Sequence, residues 1–263
     1  MPPLRALLLD VDDTVIDTRA AMVAAGTAAA AALWPDAPPD RRAAFGPRFH
    51  DDPAGWFARF AAGKVSFERM RRERVREAVL ALGLEGEEGR PGLQELFDAA
   101  YEPVFGAALR VFPDVAPLLV AAQEAGVAVG LLTNSSQDYT ERKLRIAGLE
   151  GRFDRLFTRD TLGFGKPDPR VFAAACAALG QPPAQILSVG DNLTWDVVPA
   201  AEAGMPCAWL RRPGSAHAAA EIALARDRGV TVVESLEAVV AWLLPVDLGR
   251  ARATGSIAPR FTP

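Results

Sequence analysis

The chain has 263 residues, of which 50% are hydrophobic, and its formal net charge is −4 at pH 7. A chain of this length can bury a substantial core as one large domain or two smaller ones, and its mildly acidic charge argues against a nucleic-acid-binding protein. Cys176 and Cys207 lie in separate apolar segments, so we expect neither a disulfide framework nor a zinc site.

The first apolar run of the chain, at residues 7–9, ends in a cluster of acids: Asp10, Asp12 and Asp13. This pattern predicts a strand that is buried on both faces and stops at a polar edge, which is where open α/β sheets bind their ligands. Taken alone, the cluster also fits an acidic turn. A calcium loop is excluded because Val15 stands where such a loop needs glycine.

The segment from about residue 17 to residue 109 has no strand character and is predicted to be a helical insertion. Its patterns indicate helices at residues 20–34, 39–49, 53–62, 66–82 and 91–109. In the fourth of these, Ser66 is the expected N-cap, an apolar stripe follows at helical spacing, and Gly83 closes the helix.

The location of the protein is also predicted from its first segments. No apolar run of signal-peptide length precedes Asp10, and the apolar run at residues 20–34 is too short to span a membrane. We therefore expect a cytoplasmic protein that has no membrane partner.

From residue 111 onward, apolar strands alternate with helices. Strands are predicted at residues 126–132, 153–158, 185–189, 206–210 and 230–233, and helices at about 135–148, 168–180, 199–203 and 236–244. This alternation predicts a parallel sheet with right-handed crossovers. We expect a core made of residues 1–18 and 110–244, an insertion at residues 19–109, and a loose tail at residues 245–263.

Three further polar motifs lie at the ends of predicted strands or in the loops near them. They are Thr133 with Asn134, Lys166 within Gly-Lys-Pro, and Asp191 followed by Asp196. Each of them alone also fits ordinary structure: Thr-Asn after a strand is a common helix cap, and Gly-Asp is a common turn.

Together, and in this order, these motifs resemble those of the haloacid dehalogenase superfamily of phosphohydrolases. In that family an apolar strand leads into Asp-x-Asp-x-Thr, a second strand ends in Thr or Ser, a Lys follows, and the last motif is Gly-Asp with another Asp after it. The matching residues here are Asp10, Asp12, Thr14, Thr133, Lys166, Asp191 and Asp196. The resemblance implies a Rossmann-like α/β core with an inserted all-α cap that closes over the site and selects substrates.

The resemblance also implies a role for each site residue. Asp10 is then the nucleophile that forms an aspartyl-phosphate, and Asp12 is the general acid and later the general base. Lys166 neutralises the phosphoryl oxygens, while Thr133 and the backbone amide of Asn134 bind the group being transferred.

Such a site needs a cation. Two carboxylates about 4 Å apart repel each other by about 4 kcal/mol at an effective dielectric constant near 20, and the substrate adds a phosphate dianion. Oxygen ligands favour Mg²⁺. We expect it at Asp10, the backbone carbonyl of Asp12 and Asp191, with Asp196 acting through water or holding Lys166.

The expected activity is hydrolysis of a small phosphorylated metabolite, a phosphate monoester of the sugar phosphate or nucleotide class. The dehalogenases of the superfamily lack an acid at the position of Asp12, which argues against halide release. A phosphomutase uses the same acids and remains an alternative. A non-catalytic member that binds small molecules is the other alternative, although no motif residue is missing.

Overall fold

The structure of the protein, a computed structural model, describes residues 3–84, 91–215 and 218–243. The chain forms two compact units. One consists of the described residues within 1–15, 112–139 and 149–263, and the other of those within 16–111 and 140–148. The tail predicted at residues 245–263, and residue 244 of the last predicted helix, lie outside the described residues.

The helical unit contains five helices that precede the second strand in the chain. They are α1 (Thr18–Leu33), α2 (Pro39–Asp51), α3 (Trp56–Ala61), α4 (Phe67–Ala81) and α5 (Leu93–Ala108). Ser66 caps α4 as predicted, because its hydroxyl accepts a hydrogen bond of 3.2 Å from the backbone N–H of Arg69. All five helices confirm the predicted elements, with ends that differ by up to three residues.

Aromatic side chains form the core of the helical unit. Phe45 and Phe49 of α2 pack against Phe97 and Tyr101 of α5, with ring centroids 5.3 to 5.7 Å apart. The buried guanidinium of Arg74 lies over the ring of Phe49 and donates hydrogen bonds to nearby backbone carbonyls. This unit therefore has a core of its own.

The other unit is built on a parallel sheet. Its strands are β1 (Ala6–Leu9), β2 (Ala128–Thr133), β3 (Arg155–Thr158), β4 (Ile186–Gly190), β5 (Cys207–Leu210) and β6 (Thr231–Val233). Their order in the sheet is β3-β2-β1-β4-β5-β6, and each neighbouring pair is parallel. The predicted Rossmann-like α/β fold is thus confirmed.

In the described part of the chain, the helices that follow α5 lie between these strands, except for the last helix, which comes after β6. They are α6 (Val115–Ala125), α7 (Gln137–Ile146), α8 (Arg159–Leu162), α9 (Pro169–Leu179), α10 (Val198–Glu202), α11 (Ala219–Asp227) and α12 (Glu237–Leu243). Helices α6, α8 and α11 were not among the predicted elements. The predicted strand at 126–132 starts later, at Ala128, because Gly126 adopts φ +66° and ends α6.

The central strand β1 is fully buried, as its leucine run predicts. Leu9 pairs with Leu131 of β2 on one side and with Val189 of β4 on the other. This register brings the carboxyl ends of the three strands to one edge of the sheet. Among the residues that the structure describes, no helix has both the length and the apolar character needed to cross a membrane.

Candidate active site

The site is built where β1, β2 and β4 end side by side. Asp10 directly follows β1, and its backbone N–H donates a hydrogen bond of 2.9 Å to the carbonyl of Val189 in β4. Thr133 is the last residue of β2, and Gly190 is the last residue of β4. The strand order reverses between β1 and β4, and such a switch point is the usual ligand site of an open α/β sheet.

Lys166 lies at the centre of the site. Its Nζ forms ion pairs with Oδ1 of Asp10 at 2.5 Å and with Oδ1 of Asp196 at 2.6 Å, and it donates a hydrogen bond of 3.0 Å to the carbonyl of Leu132. Only 4% of the lysine is exposed. Burial acts to lower the pKa of Lys166, but the two neighbouring carboxylates outweigh it and raise the pKa. The lysine is therefore held in its charged form.

Three carboxyl groups crowd around this lysine. Each of Asp10, Asp191 and Asp196 offers an oxygen atom, and these three atoms lie within 4.8 Å of one another. Burial, followed by repulsion from Asp196 and Asp12, raises the pKa of Asp10 to about 7 despite the attraction of Lys166. Burial and repulsion from Asp10 and Asp196 likewise raise the pKa of Asp191. One lysine does not neutralise this cluster, which is therefore able to hold a metal ion.

Asp196 is fixed by the turn that follows β4. Its Oδ2 accepts a hydrogen bond of 3.0 Å from the backbone N–H of Asn192, while its Oδ1 faces Lys166. Gly190 permits this arrangement, because a β-carbon there would lie 2.5 Å from Cγ of Asp196. Both oxygens of Asp196 thus already have protein partners.

Asp12 is linked to the end of β2 by a serine that the sequence motifs did not indicate. The hydroxyl of Ser135 donates a hydrogen bond of 3.3 Å to Oδ2 of Asp12. The backbone N–H of Ser135 donates in turn to Oγ1 of Thr133, at 3.1 Å. Because Thr133 accepts this bond, its hydroxyl proton stays available to a bound group. The only sequence signal for Ser135 was its position directly after Thr133 and Asn134.

Asn134 uses its side chain to hold the loop that carries Lys166. Its Nδ2 donates to the carbonyl of Lys166 at 2.9 Å, and its Oδ1 accepts from the N–H of Lys166 at 2.7 Å. A β-carbon at Gly165 would lie 2.5 Å from Oδ1 of Asn134, so the close approach requires glycine. The sequence analysis predicted that the backbone amide of Asn134 contacts the substrate. Because these two bonds involve only the side chain of Asn134, they do not occupy that amide.

The structure thus brings together the residues to which the sequence analysis assigned a role in the site. The charged groups Asp10, Lys166, Asp191 and Asp196 form one cluster, and Asp12, Thr133 and Asn134 border it through the contacts described above. An acidic cluster with one buried lysine can present a carboxylate nucleophile, a second carboxyl for proton transfer, and ligands for a cation.

Comparisons with known proteins agree with this arrangement. A family model of haloacid dehalogenase-like hydrolases matches residues 4–204. The phosphoserine phosphatase of Thermus thermophilus is 35% identical over 129 residues, which are 48% of this chain and 52% of that protein. The phosphoglycolate phosphatase (plasmid) of Cupriavidus necator is 30% identical over 249 residues, which are 95% of this chain and 97% of that one.

A solved structure of a dehalogenase with an intermediate complex shares the fold, with a TM-score of 0.66 and 23% identity over 91% of this chain and 96% of that one. Several curated relatives, the Thermus phosphatase among them, are matched over only about half of their length. They include both phosphatases and a haloacid dehalogenase. The family model matches most of the chain, and the strand-end acids and the lysine lie together at one edge of the sheet. The chain therefore belongs to the haloacid dehalogenase-like hydrolases.

Proposed function

We propose that the protein is a cytoplasmic, Mg²⁺-dependent phosphatase that hydrolyses a small phosphate monoester of the sugar phosphate or nucleotide class through an aspartyl-phosphate on Asp10. The observation that carries this proposal is the cluster itself. Asp10 lies 2.5 Å from a buried lysine and within reach of two further carboxylates, while Asp12 stands two residues along the chain.

The cation site of the proposal uses oxygen ligands. Asp10, Asp191 and the backbone carbonyl of Asp12 would hold Mg²⁺, which when bound supplies positive charge that screens the carboxylates and the substrate phosphate. For Asp196 the sequence left two roles, a contact with the ion through water or a contact that holds Lys166. Because both of its oxygens face protein donors, we favour the alternative that Asp196 holds Lys166.

The chemistry of the proposal proceeds in two steps. A carboxylate oxygen of Asp10 attacks phosphorus, the bond from phosphorus to the ester oxygen breaks, and Asp12 protonates the departing oxygen. Water then attacks the aspartyl-phosphate, Asp12 takes a proton from that water, and phosphate leaves as Asp10 is regenerated. Lys166, the hydroxyl of Thr133 and the amide of Asn134 stabilise the phosphoryl oxygens in both steps.

The position of Asp12 favours ester cleavage over dehalogenation. A halide leaves as a weak base and needs no proton, whereas the oxygen of a phosphate monoester leaves as a strong base unless an acid protonates it. Ser135 donates a hydrogen bond to Asp12, which indicates a carboxyl with a defined orientation. The phosphoserine and phosphoglycolate phosphatases among the relatives support a small phosphorylated substrate.

The same proposal assigns different roles to two parts of the chain. Residues 1–18 and 110–244 would supply the chemistry, and the helical segment at residues 19–109 would act as the cap that selects the substrate. The structure gives the helical unit its own aromatic core, which is what a substrate-selecting domain needs to fold as a body of its own.

The proposal is tested by phosphate release from an aryl phosphate. We expect release by the wild type with Mg²⁺, none with EDTA, and none from Asp10→Asn, which keeps the shape of the side chain but removes its charge. Asp138→Asn makes the same change at an exposed acid of α7 and serves as the matched control. Activity retained in Asp10→Asn would contradict the proposal.

A cap that rejects aryl groups would hide this activity, so a second measurement is needed. Fluoroberyllate mimics the aspartyl-phosphate, and we expect Mg²⁺-dependent binding of it to the wild type and not to Asp10→Asn. If the wild type shows neither activity nor fluoroberyllate binding, the protein is a binding member of the family instead. Labelled phosphate that moves to a second substrate hydroxyl, and not into solution, would indicate a phosphomutase.

A further inference from the structure

Arg212 lies outside the four motifs, yet it reaches the turn that carries the proposed acid. It follows β5 in the chain, and its side chain is only 10% exposed. Its Nη2 donates to the carbonyl of Thr14 at 2.6 Å, and its Nε donates to the carbonyl of Asp13 at 3.3 Å. These are the two residues that come directly after Asp12, so the guanidinium holds the backbone of that turn.

The guanidinium is itself fixed from several sides. Both oxygens of the buried Asp114 accept bonds from it, at 3.0 and 3.1 Å, in a fork-to-fork pair. Oδ2 of Asp114 also accepts the N–H of Leu236 at 2.8 Å, and the guanidinium carbon lies 3.5 Å from the ring centroid of Phe112. A group held in this way is oriented before any substrate binds, and lysine has no planar fork with which to reproduce it.

The turn needs such a restraint because of its backbone conformation. Asp13 adopts φ +60°, a left-handed conformation that aspartate tolerates better than most residues but that has no glycine here to favour it. The N–H of Val15 closes the turn on the carbonyl of Val11 at 2.9 Å. The direction of Asp12, in the middle of this turn, depends on how firmly the turn is held.

We propose that Arg212 is a positioning residue for the reaction: by fixing the carbonyls of Asp13 and Thr14, it orients Asp12 for proton transfer. This inference rests on the proposed phosphatase function. Arg212 contacts no reacting atom, so its effect is on the rate of the chemical steps and not on substrate binding.

The main test compares Arg212→Ala with the wild type and with Arg211→Ala. Arg211 is the neighbouring arginine, and its guanidinium lies over the ring of Trp209 instead of the turn. We expect kcat of Arg212→Ala to fall by about 10- to 100-fold, as for other misplacements of about 1 Å, with KM changed by less than about threefold. Arg211→Ala should keep the wild-type kcat.

Chemical rescue separates positioning from loss of fold. Guanidinium ion, added well below the concentrations that unfold proteins, should restore part of the kcat of Arg212→Ala, and potassium chloride at the same ionic strength should not. Arg212→Lys should stay well below the wild-type kcat, because the three donors of a compact ammonium cannot make the four hydrogen bonds that the planar guanidinium makes to the two carbonyls and Asp114. Full activity in Arg212→Lys would overturn the proposal.

A buried Asp114 without its partner destabilises the protein, so a double variant is needed as well. Arg212→Ala combined with Asp114→Asn removes the unpaired charge but keeps an acceptor for Leu236. If stability recovers and kcat stays low, the positioning role is supported. If kcat recovers together with stability, Arg212 has only a structural role and the proposal fails.

Hydrogen exchange distinguishes a failure of this inference from a failure of the proposed function. Backbone amides of residues 11–15 should exchange faster in Arg212→Ala than in the wild type, while those of β4 should not change. Unchanged exchange in the turn would overturn the inference whatever the enzyme does. Suppose instead that the wild type lacks both phosphatase activity and fluoroberyllate binding, while the turn exchanges faster in Arg212→Ala. That result would refute the proposed function but would still identify Arg212 as the restraint on the turn.

Discussion

The substitution Lys166→Met tests the charge balance of the site most directly. Methionine keeps the length and the apolar stem of lysine but removes the ammonium that lies 2.5 Å from Asp10 and 2.6 Å from Asp196. At an effective dielectric constant near 20, each of these attractions is about 6 kcal/mol before desolvation is counted. Measured losses on removing one partner of a buried pair are smaller, about 3–5 kcal/mol.

A loss of this size is a large part of the stability of a typical domain, which is about 5–15 kcal/mol. We therefore expect Lys166→Met to fold and to unfold at lower denaturant concentration than the wild type. Phosphate release should fall by at least about 100-fold, because a group that stabilises the transferring phosphoryl oxygens is gone. Mg²⁺ should stabilise the variant more than the wild type, since it replaces part of the lost charge.

Urea unfolding with and without Mg²⁺, together with the phosphate-release assay, measures these effects. Lys64→Met is the matched control, because Lys64 is exposed and lies outside the site. Near-normal turnover in Lys166→Met would refute the assignment of Lys166. Equal free energies of unfolding for the variant and the wild type without metal would refute the electrostatic argument.

Three further predictions follow from contacts within the sheet unit. Gly190→Ala should displace Asp196 and therefore lower kcat, which enzyme kinetics would show. The added methyl group overpacks the site, so urea unfolding should show a loss of about 1–3 kcal/mol in the free energy of unfolding. Asn134→Ala removes two hydrogen bonds to Lys166 and should cost about 2 kcal/mol in total, with a lower kcat measured in the same assays. Burial raises the pKa of Cys207 to about 11, so iodoacetamide at pH 8 should label this thiol only after unfolding, as mass spectrometry would show.

Each of these predictions can fail in a defined way. Gly106→Ala adds the same methyl group to α5, where the nearest contact, Cδ1 of Ile146, is 3.6 Å away, and it should leave turnover unchanged. If Gly190→Ala behaved like this control, the steric argument at Asp196 would be wrong. A normal kcat in Asn134→Ala would show that the loop carrying Lys166 keeps its position without the hydrogen bonds from Asn134. Rapid labelling of Cys207 in the native protein would show that its burial is not maintained in solution.

The sequence could predict that the motif residues come together, because their proximity follows from the geometry of a parallel sheet. Asp10, Thr133 and Asp191 each come after a short apolar run, and parallel strands joined by crossovers bring their carboxyl ends to one edge. The helical segment was equally readable, since Ser66 and Gly83 mark helix ends by local chemistry. Helix α6 was missed although Asp114 precedes it and Gly126 ends it, and in the structure the Asp114 carboxylate binds Arg212 and Leu236 instead of capping the helix. Helix α11 follows Ala218, which has no side-chain acceptor to signal a helix start.

The contacts that set the site's geometry carry no such local signal. Asn134 binds the backbone of Lys166 across 32 residues of sequence, and Arg212 binds the carbonyl of Thr14 across 198. In a chain rich in arginine, nothing near Arg212 distinguishes it from a surface charge. The motifs therefore identify the reacting groups, whereas segments far along the chain hold them in place. Substitutions in those segments should act on turnover even though they touch no motif residue's side chain.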